Sequence, residues 1–334
     1  MMKQRIEYIS IINAIAIIAV MIGHLDVTGV NQDPTTPIAN VIEQFGSFQM
    51  PLFMCVSGFV FTMTSGYKRT YADLIKNKVK RLLIPFLFLS LFTFAFKLCL
   101  PSSMLEHGVG FNANYIFKIF FVPFRGPVPH LWFVISLFTI FLLSPILKKT
   151  VQQKTSMIGT FLVLALLTFT LPILKIIDFE YLAIDKTLSM LLWFYLGMVM
   201  QIEKVSYKLD TWNAVGFFCI IYIILLYFIK IPIIGSLACA LSGILFVFSL
   251  AHKIADYKPN LFGSWRNYTY QIYLMHMYPI MVCKYLYKIH LFPNDDIWFV
   301  SIWISSLICS IALPTIVSKV VEKTSNNLKI LIGL

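Results

Sequence analysis

IEYISIINAIAIIAVMIGHL, residues 6–25, decides the fold. From Tyr8 to Gly23 it contains no Asp, Glu, Lys or Arg. Twenty residues at a helical rise of about 1.5 Å span ~30 Å, the thickness of a bilayer's hydrocarbon core. Runs of the same kind recur near 45–64, 82–101, 131–147, 157–175, 187–201, 212–230, 233–251, 267–287 and 297–318. The seventh and eighth are parted only by Lys230 and Pro232, and the sixth is short, which leaves counts of nine or eleven open. The chain is 59% hydrophobic and 13% charged, where a soluble domain carries about 25% charged residues. The expected fold is all-α: a polytopic transmembrane bundle of about ten helices, one membrane-embedded domain over 1–334 with no separate soluble domain. The first run is long, lacks a small-residue cleavage site and is soon followed by a second. It is therefore expected to be a retained span, not a cleaved signal peptide.

A net charge of +12 would suit nucleic acid, but its distribution points elsewhere. With the amino terminus inside, most Lys and Arg fall in the internal segments, among them Lys68, Arg69, Lys76, Lys78, Lys80 and Arg81, then Lys148, Lys149 and Lys154. The first external loop, 26–44, holds Asp26, Asp33 and Glu43 and no basic residue. The positive-inside bias places both termini in the cytoplasm, and the surplus suits anionic lipid headgroups of the inner leaflet. Nucleic acid is not an expected partner. Cys55, Cys99, Cys219, Cys239, Cys283 and Cys309 all lie in the proposed spans without Cys-x-x-Cys spacing. Neither a disulfide framework nor a metal site is expected from them.

The longest inter-span stretch, 102–130, carries Phe111, Tyr115, Ile116, Ile119 and Phe120 at helical spacing before Pro123, which predicts a short amphipathic helix. Trp132, Trp212, Trp265 and Trp298 stand at span ends, where an indole favours the headgroup level. No internal repeat is visible.

Ionisable side chains inside spans cost free energy unless satisfied, so the few present are functional candidates. His24 lies about 22 Å up the first helix from Ile9, in the outer half of the bilayer. Its imidazole suits a general base near neutral pH; the alternative is a histidine satisfied by a neighbouring carbonyl. His130, in Pro129-His130-Leu131-Trp132-Phe133, opens the fourth span on the same side, and His276 lies within the ninth. Together the three suggest a polar cavity opening outward. Lys78-Val79-Lys80-Arg81-Leu82-Leu83-Ile84-Pro85 puts a basic cluster at the inner end of the third span. Its lysines serve topology, while the planar fork of Arg81 can hold a phosphate. Ser57-Gly58 allows close helix approach, a role that outweighs a catalytic serine. No Gly-x-Ser-x-Gly elbow occurs.

Taken in order, these segments resemble the acyltransferase-3 family of integral membrane acyltransferases. The resemblance covers nearly the whole chain. It rests on Tyr8-Ile9 through Gly23-His24, Met50-Pro51-Leu52-Phe53 with Ser57-Gly58-Phe59, Lys80-Arg81-Leu82-Leu83-Ile84-Pro85, His130-Leu131-Trp132-Phe133 and Ile272-Tyr273-Leu274-Met275-His276. The family's first-span pattern is a basic residue, ten positions, then histidine: His24 matches, but Asn13 occupies the basic position. Ser10 replaces the usual acid, Gln49 the histidine before Met-Pro, and Lys78 the first arginine of an Arg-x-x-Arg pattern whose second is Arg81.

The resemblance implies a surface-polysaccharide O-acetyltransferase in the bacterial cytoplasmic membrane. His24 would be the general base, and Arg81, Lys78 and Asn13 would bind the acyl donor. His130, Trp132, His276 and Ser57 would contact substrate or stabilise charge. Acetyl-CoA or another acyl-CoA is the implied donor substrate, and no permanently bound cofactor is expected. The implied partners are a carbohydrate acceptor, membrane lipids and glycan-assembly proteins, with a homo-oligomer left open. No fused hydrolase-like domain is expected after the tenth span. On this topology His24 and Arg81 belong to opposite bilayer faces, so donor and base must be brought together across it. The competing expectation is a non-catalytic exporter or flippase of a surface glycan, and a third is an inactive scaffold.

Overall fold

The computed structural model describes residues 2–25, 46–64, 67–98, 113–126, 128–174, 181–228, 232–289 and 296–334. All regular structure among them is helical. The main helices are α1 (Met2–His24), α2 (Gln49–Met63), α3 (Tyr71–Leu98), α4 (Ala113–Phe121), α5 (Trp132–Leu142), α6 (Ser144–Val151), α7 (Lys154–Leu174), α8 (Ile184–Ile202), α9 (Trp212–Phe228), α10 (Pro232–Tyr257), α11 (Thr269–Met275), α12 (Met277–Lys288), α13 (Asp296–Val321) and α14 (Asn326–Leu331). The predicted loop helix is α4, its ring of Tyr115 6.1 Å from that of Phe94. The acidic loop 26–44, Cys99 and Phe111 lie outside the described residues. The other five cysteines are free thiols.

The described part of each apolar run is mainly helical. Among the described residues, five helical stretches are long and apolar enough to cross a bilayer: Glu7–His24, Tyr71–Leu98, Tyr181–Ile202, Gly235–Tyr257 and Val300–Val321. A sixth arises if Pro129–Leu142 and Ser144–Val151 form one bent span, and Gln49–Met63, Lys154–Thr168 and Trp212–Tyr227 are shorter apolar helices. This is an all-α, polytopic membrane protein. Large apolar side chains stand open on the helix surfaces, Leu162 and Leu166 at 61% and Ile220 at 60%, as lipid-facing positions require.

Three boundaries depart from the sequence expectation, each for a local reason. The third helix begins eleven residues earlier, at Tyr71, because Thr70 caps it: its hydroxyl oxygen accepts the Asp73 N–H. Lys76, Lys78, Lys80 and Arg81 are therefore helical. The fourth run breaks at Leu143 with a 60° bend. Pro145 lacks an N–H and its ring would meet the Phe141 carbonyl, so the helix stops and restarts with proline in the first turn. The exposed end is tied down, since the Tyr71 hydroxyl donates to the Leu142 carbonyl at 3.2 Å. The ninth run breaks at His276, three residues before Pro279, for the same steric reason.

The described chain divides into two compact units. One comprises Met1–Val56 and Met200–Lys319, the other Ser57–Val199 and Val320–Leu334. In the first, α9 packs along α10, and α1 lies against α10, α11 and the turn Arg266–Tyr268. Ile22, Leu25, Ile280 and Ile302 close the core at the end of α1. In the second, α3 packs on α5 and α14, and α2 meets α8 at Gly58. Hydroxyls inside the helices are satisfied locally: Thr93 donates to the Leu89 carbonyl at 2.6 Å, Thr187 to Ala183 at 2.8 Å and Ser249 to Leu245 at 2.8 Å.

A Cβ at Gly58 would overlap the Phe194 carbonyl oxygen, whereas one at Gly159 on α7 would meet nothing within 4 Å. Gly58→Ala should therefore lower thermal stability of the detergent-solubilised protein by about 1–3 kcal/mol, and Gly159→Ala should not lower it. Size-exclusion profiles after graded heating distinguish the two.

Candidate active site

The first unit holds His24, His276 and Asn13. His24 ends α1, and His276 occupies the break between α11 and α12. Their rings lie 5.3 Å apart, tilted by 42°. His276 is fully buried. Its Nδ1 is 2.7 Å from the Tyr273 carbonyl; a carbonyl only accepts, so Nδ1 carries the proton and Nε2 the lone pair. The Ser310 hydroxyl donates to the His276 carbonyl at 3.1 Å, which holds the break in place from α13. The Tyr273 ring is 6.0 Å from that of His276 and 6.4 Å from that of Phe53 on α2. His24 is the less buried of the two residues.

Asn13 stands three helical turns before His24. Eleven residues at 100° each return to nearly the same face, about 16 Å away. Asn13 is partly exposed on that face. Gln49 opens α2, and a Cβ on Gly23 would lie 2.9 Å from its amide nitrogen. Gly23 thus leaves room for the Gln49 amide beside the His24 backbone. Sequence reading noted Gln49 only as a departure from a pattern and did not assign Tyr273 a role; the carbonyl that fixes the tautomer of His276 belongs to Tyr273.

The other end of α1 is anchored. Arg266 pairs with Glu7, both side chains mostly buried, and also donates to the Leu261 carbonyl at 3.3 Å. One residue on, the Tyr8 ring stacks on His252 of α10 at 3.9 Å. Lys253 beside it bonds Asp210 at 2.6 Å and Asp256 at 3.0 Å. These contacts fix the rotation and height of α1, and with them the placement of His24.

The second unit holds Ser57, Lys78, Arg81, His130 and Trp132. Lys78 and Arg81 do not share a face. Residues Val79–Leu83 form a π-turn, in which the Ile84 N–H reaches back to the Val79 carbonyl, and this widened turn changes the phase between them. Lys78 points inward, its ammonium 3.7 Å from the centre of the Phe141 ring, while Arg81 is exposed. His130 sits in the single turn Pro129–Leu131 that leads into α5. Trp132 follows it, with its ring edge-on to Phe133 at 6.2 Å. Ser57 precedes the Gly58 close approach, the packing position that its neighbour suggested.

A family model described as an acyltransferase domain, that of acyltransferase-3, matches residues 6–319. The chain belongs to the acyltransferase-3 family. The match begins just before Glu7 and ends two residues short of the end of α13, so it takes in every candidate residue of both units. No curated protein and no solved structure matches the chain. The protein is accordingly a membrane acyltransferase.

Removing one partner of a buried ion pair leaves the other charged and unpaired, a loss of about 3–5 kcal/mol. Arg266→Ala should therefore sharply reduce the folded fraction recovered from membranes, and Arg266→Lys should retain part of it. Fluorescence-detected size exclusion of tagged variants measures both.

Proposed function

We propose that this acyltransferase of the cell membrane moves an acyl group, in the simplest case acetyl, from acyl-coenzyme A to a sugar hydroxyl. The acceptor is a surface polysaccharide or its lipid-linked precursor. The observation that carries the proposal is the His24 imidazole set 5.3 Å from the buried, tautomer-fixed His276, in a chain whose family is acyltransferase-3.

In this reading the sugar hydroxyl oxygen attacks the thioester carbonyl as His24 accepts the hydroxyl proton. The carbon–sulfur bond breaks, and the proton is passed to the departing thiolate. General-base assistance of this kind contributes about 10²–10⁴ in rate. His276 stabilises the charge that forms on His24 and orients its ring. Lys78 and Arg81 hold the phosphates of the donor, and Asn13 contributes a polar contact on the same α1 face as His24. His130, Trp132 and Ser57 contact the acceptor. No permanently bound cofactor takes part, since the activated group arrives on the donor itself.

A deletion strain complemented with wild-type protein or with His24→Ala tests this, with membrane insertion verified in both. Acyl content of the surface glycan should fall at least about a hundredfold with the variant, while the amount of glycan stays the same. Fully acylated glycan in the His24→Ala strain would defeat the proposal. Loss of all surface glycan on deletion would favour export.

A further inference from the structure

The 60° bend after α5 carries Lys148 back toward the helix that carries Lys78. On α6 the buried side chains are Ser144, Leu147 and Val151. Lys148 borders that buried face, whereas Lys149 is exposed. The Lys148 ammonium lies 5.2 Å from the ring centres of both Phe61 and Tyr67. Phe61 in turn lies 5.5 Å from Phe141, the ring under Lys78. Two ammonium groups from different helices thus rest on adjoining rings of one aromatic cluster, which Phe194 completes 5.4 Å from Phe141.

Nothing anionic within the described chain balances them. Among the described residues neither Lys78 nor Lys148 forms an ion pair with a carboxylate, and nor do Arg69 and Arg81, whose charges lie close enough to act on Lys78. The acid on the first turn of α3, Asp73, accepts the Thr70 hydroxyl at 2.7 Å. An aromatic face attracts an ammonium but does not cancel its charge. Topology alone requires lysines near the inner leaflet, and exposed Lys76, Lys80 and Lys149 satisfy it. It does not require two more set on adjoining rings of one aromatic cluster.

We infer that Lys148, with Lys78, forms one binding site for phosphate-ester groups on the Phe61–Tyr67–Phe141 platform, and that the acyl-coenzyme A donor supplies them. The exposed cations Arg69 and Arg81, whose charges act on Lys78, extend the site to a ligand with several phosphates. Sequence alone assigned Lys148 to topology, because its direction depends on the bend at Pro145. The assignment of the donor rests on the function proposed above; the anion site itself does not.

Binding of coenzyme A to the purified full-length protein in nanodiscs tests the inference, using wild type, Lys148→Ala, Lys148→Arg and Lys149→Ala, each checked for a monodisperse folded peak. Lys148→Ala should weaken binding about tenfold, as loss of one charge-assisted contact does, with Lys148→Arg recovering most of it and Lys149→Ala within about twofold of wild type. In acyl transfer the same variant should raise KM for acyl-CoA with kcat little changed. No binding by wild type, or equal effects of Lys148→Ala and Lys149→Ala, overturns the inference. A Lys148 effect on coenzyme A binding that appears in zwitterionic nanodiscs but is abolished in anionic ones assigns the site to headgroups and overturns the donor assignment. Lys148-dependent binding of coenzyme A without any acyl transfer would instead sink the proposed function and leave this site standing.

Discussion

A polar group placed among apolar helices has no water to turn to and must find its partner within the chain. This constraint organises the whole molecule. Threonine and serine hydroxyls return to carbonyls one turn back, and the carbonyl at the end of α5 receives the Tyr71 hydroxyl. Arg266 fills its donor positions with Glu7 and loop carbonyls. The polar side chains that remain are those the constraint has oriented without exhausting. His276 spends Nδ1 on Tyr273, which fixes its tautomer and sets its ring beside that of His24. Lys78 and Lys148 find aromatic faces but no carboxylate among the described residues.

The constraint also explains why the helix breaks matter. At Pro145 and Pro279 the backbone cannot continue its ladder, and each break reorients a side chain that a straight helix would have sent elsewhere. The first turns α6 and brings Lys148 to the aromatic cluster. The second places His276 between two short helices, where α13 reaches its carbonyl through Ser310. The π-turn Val79–Leu83 is a third irregularity of this kind, separating inward Lys78 from exposed Arg81.

Much of this was legible in the sequence. Apolar runs of bilayer length mark the helices because composition over twenty residues is a coarse signal that survives errors at the ends. His24 and His276 stood out because a titratable side chain in such a run is costly. Their pairing was not legible, since it depends on how α1 packs against α11. Lys148 looked like any other basic residue of an inner loop and Lys78 stood out only through the family resemblance, because their directions follow from a bend and a π-turn, not from spacing. Gln49 was visible as a substitution, but its place against Gly23 follows only from the approach of α2 to α1.

The central claim is that His24 and His276 act as one unit. A double-mutant cycle on acyl-CoA turnover, with His24→Gln, His276→Gln and the two combined, tests it most directly. Residues acting as a unit lose far less together than the product of their separate losses. The account predicts that the double variant is about as slow as the slower single variant. Losses that multiply independently would contradict it.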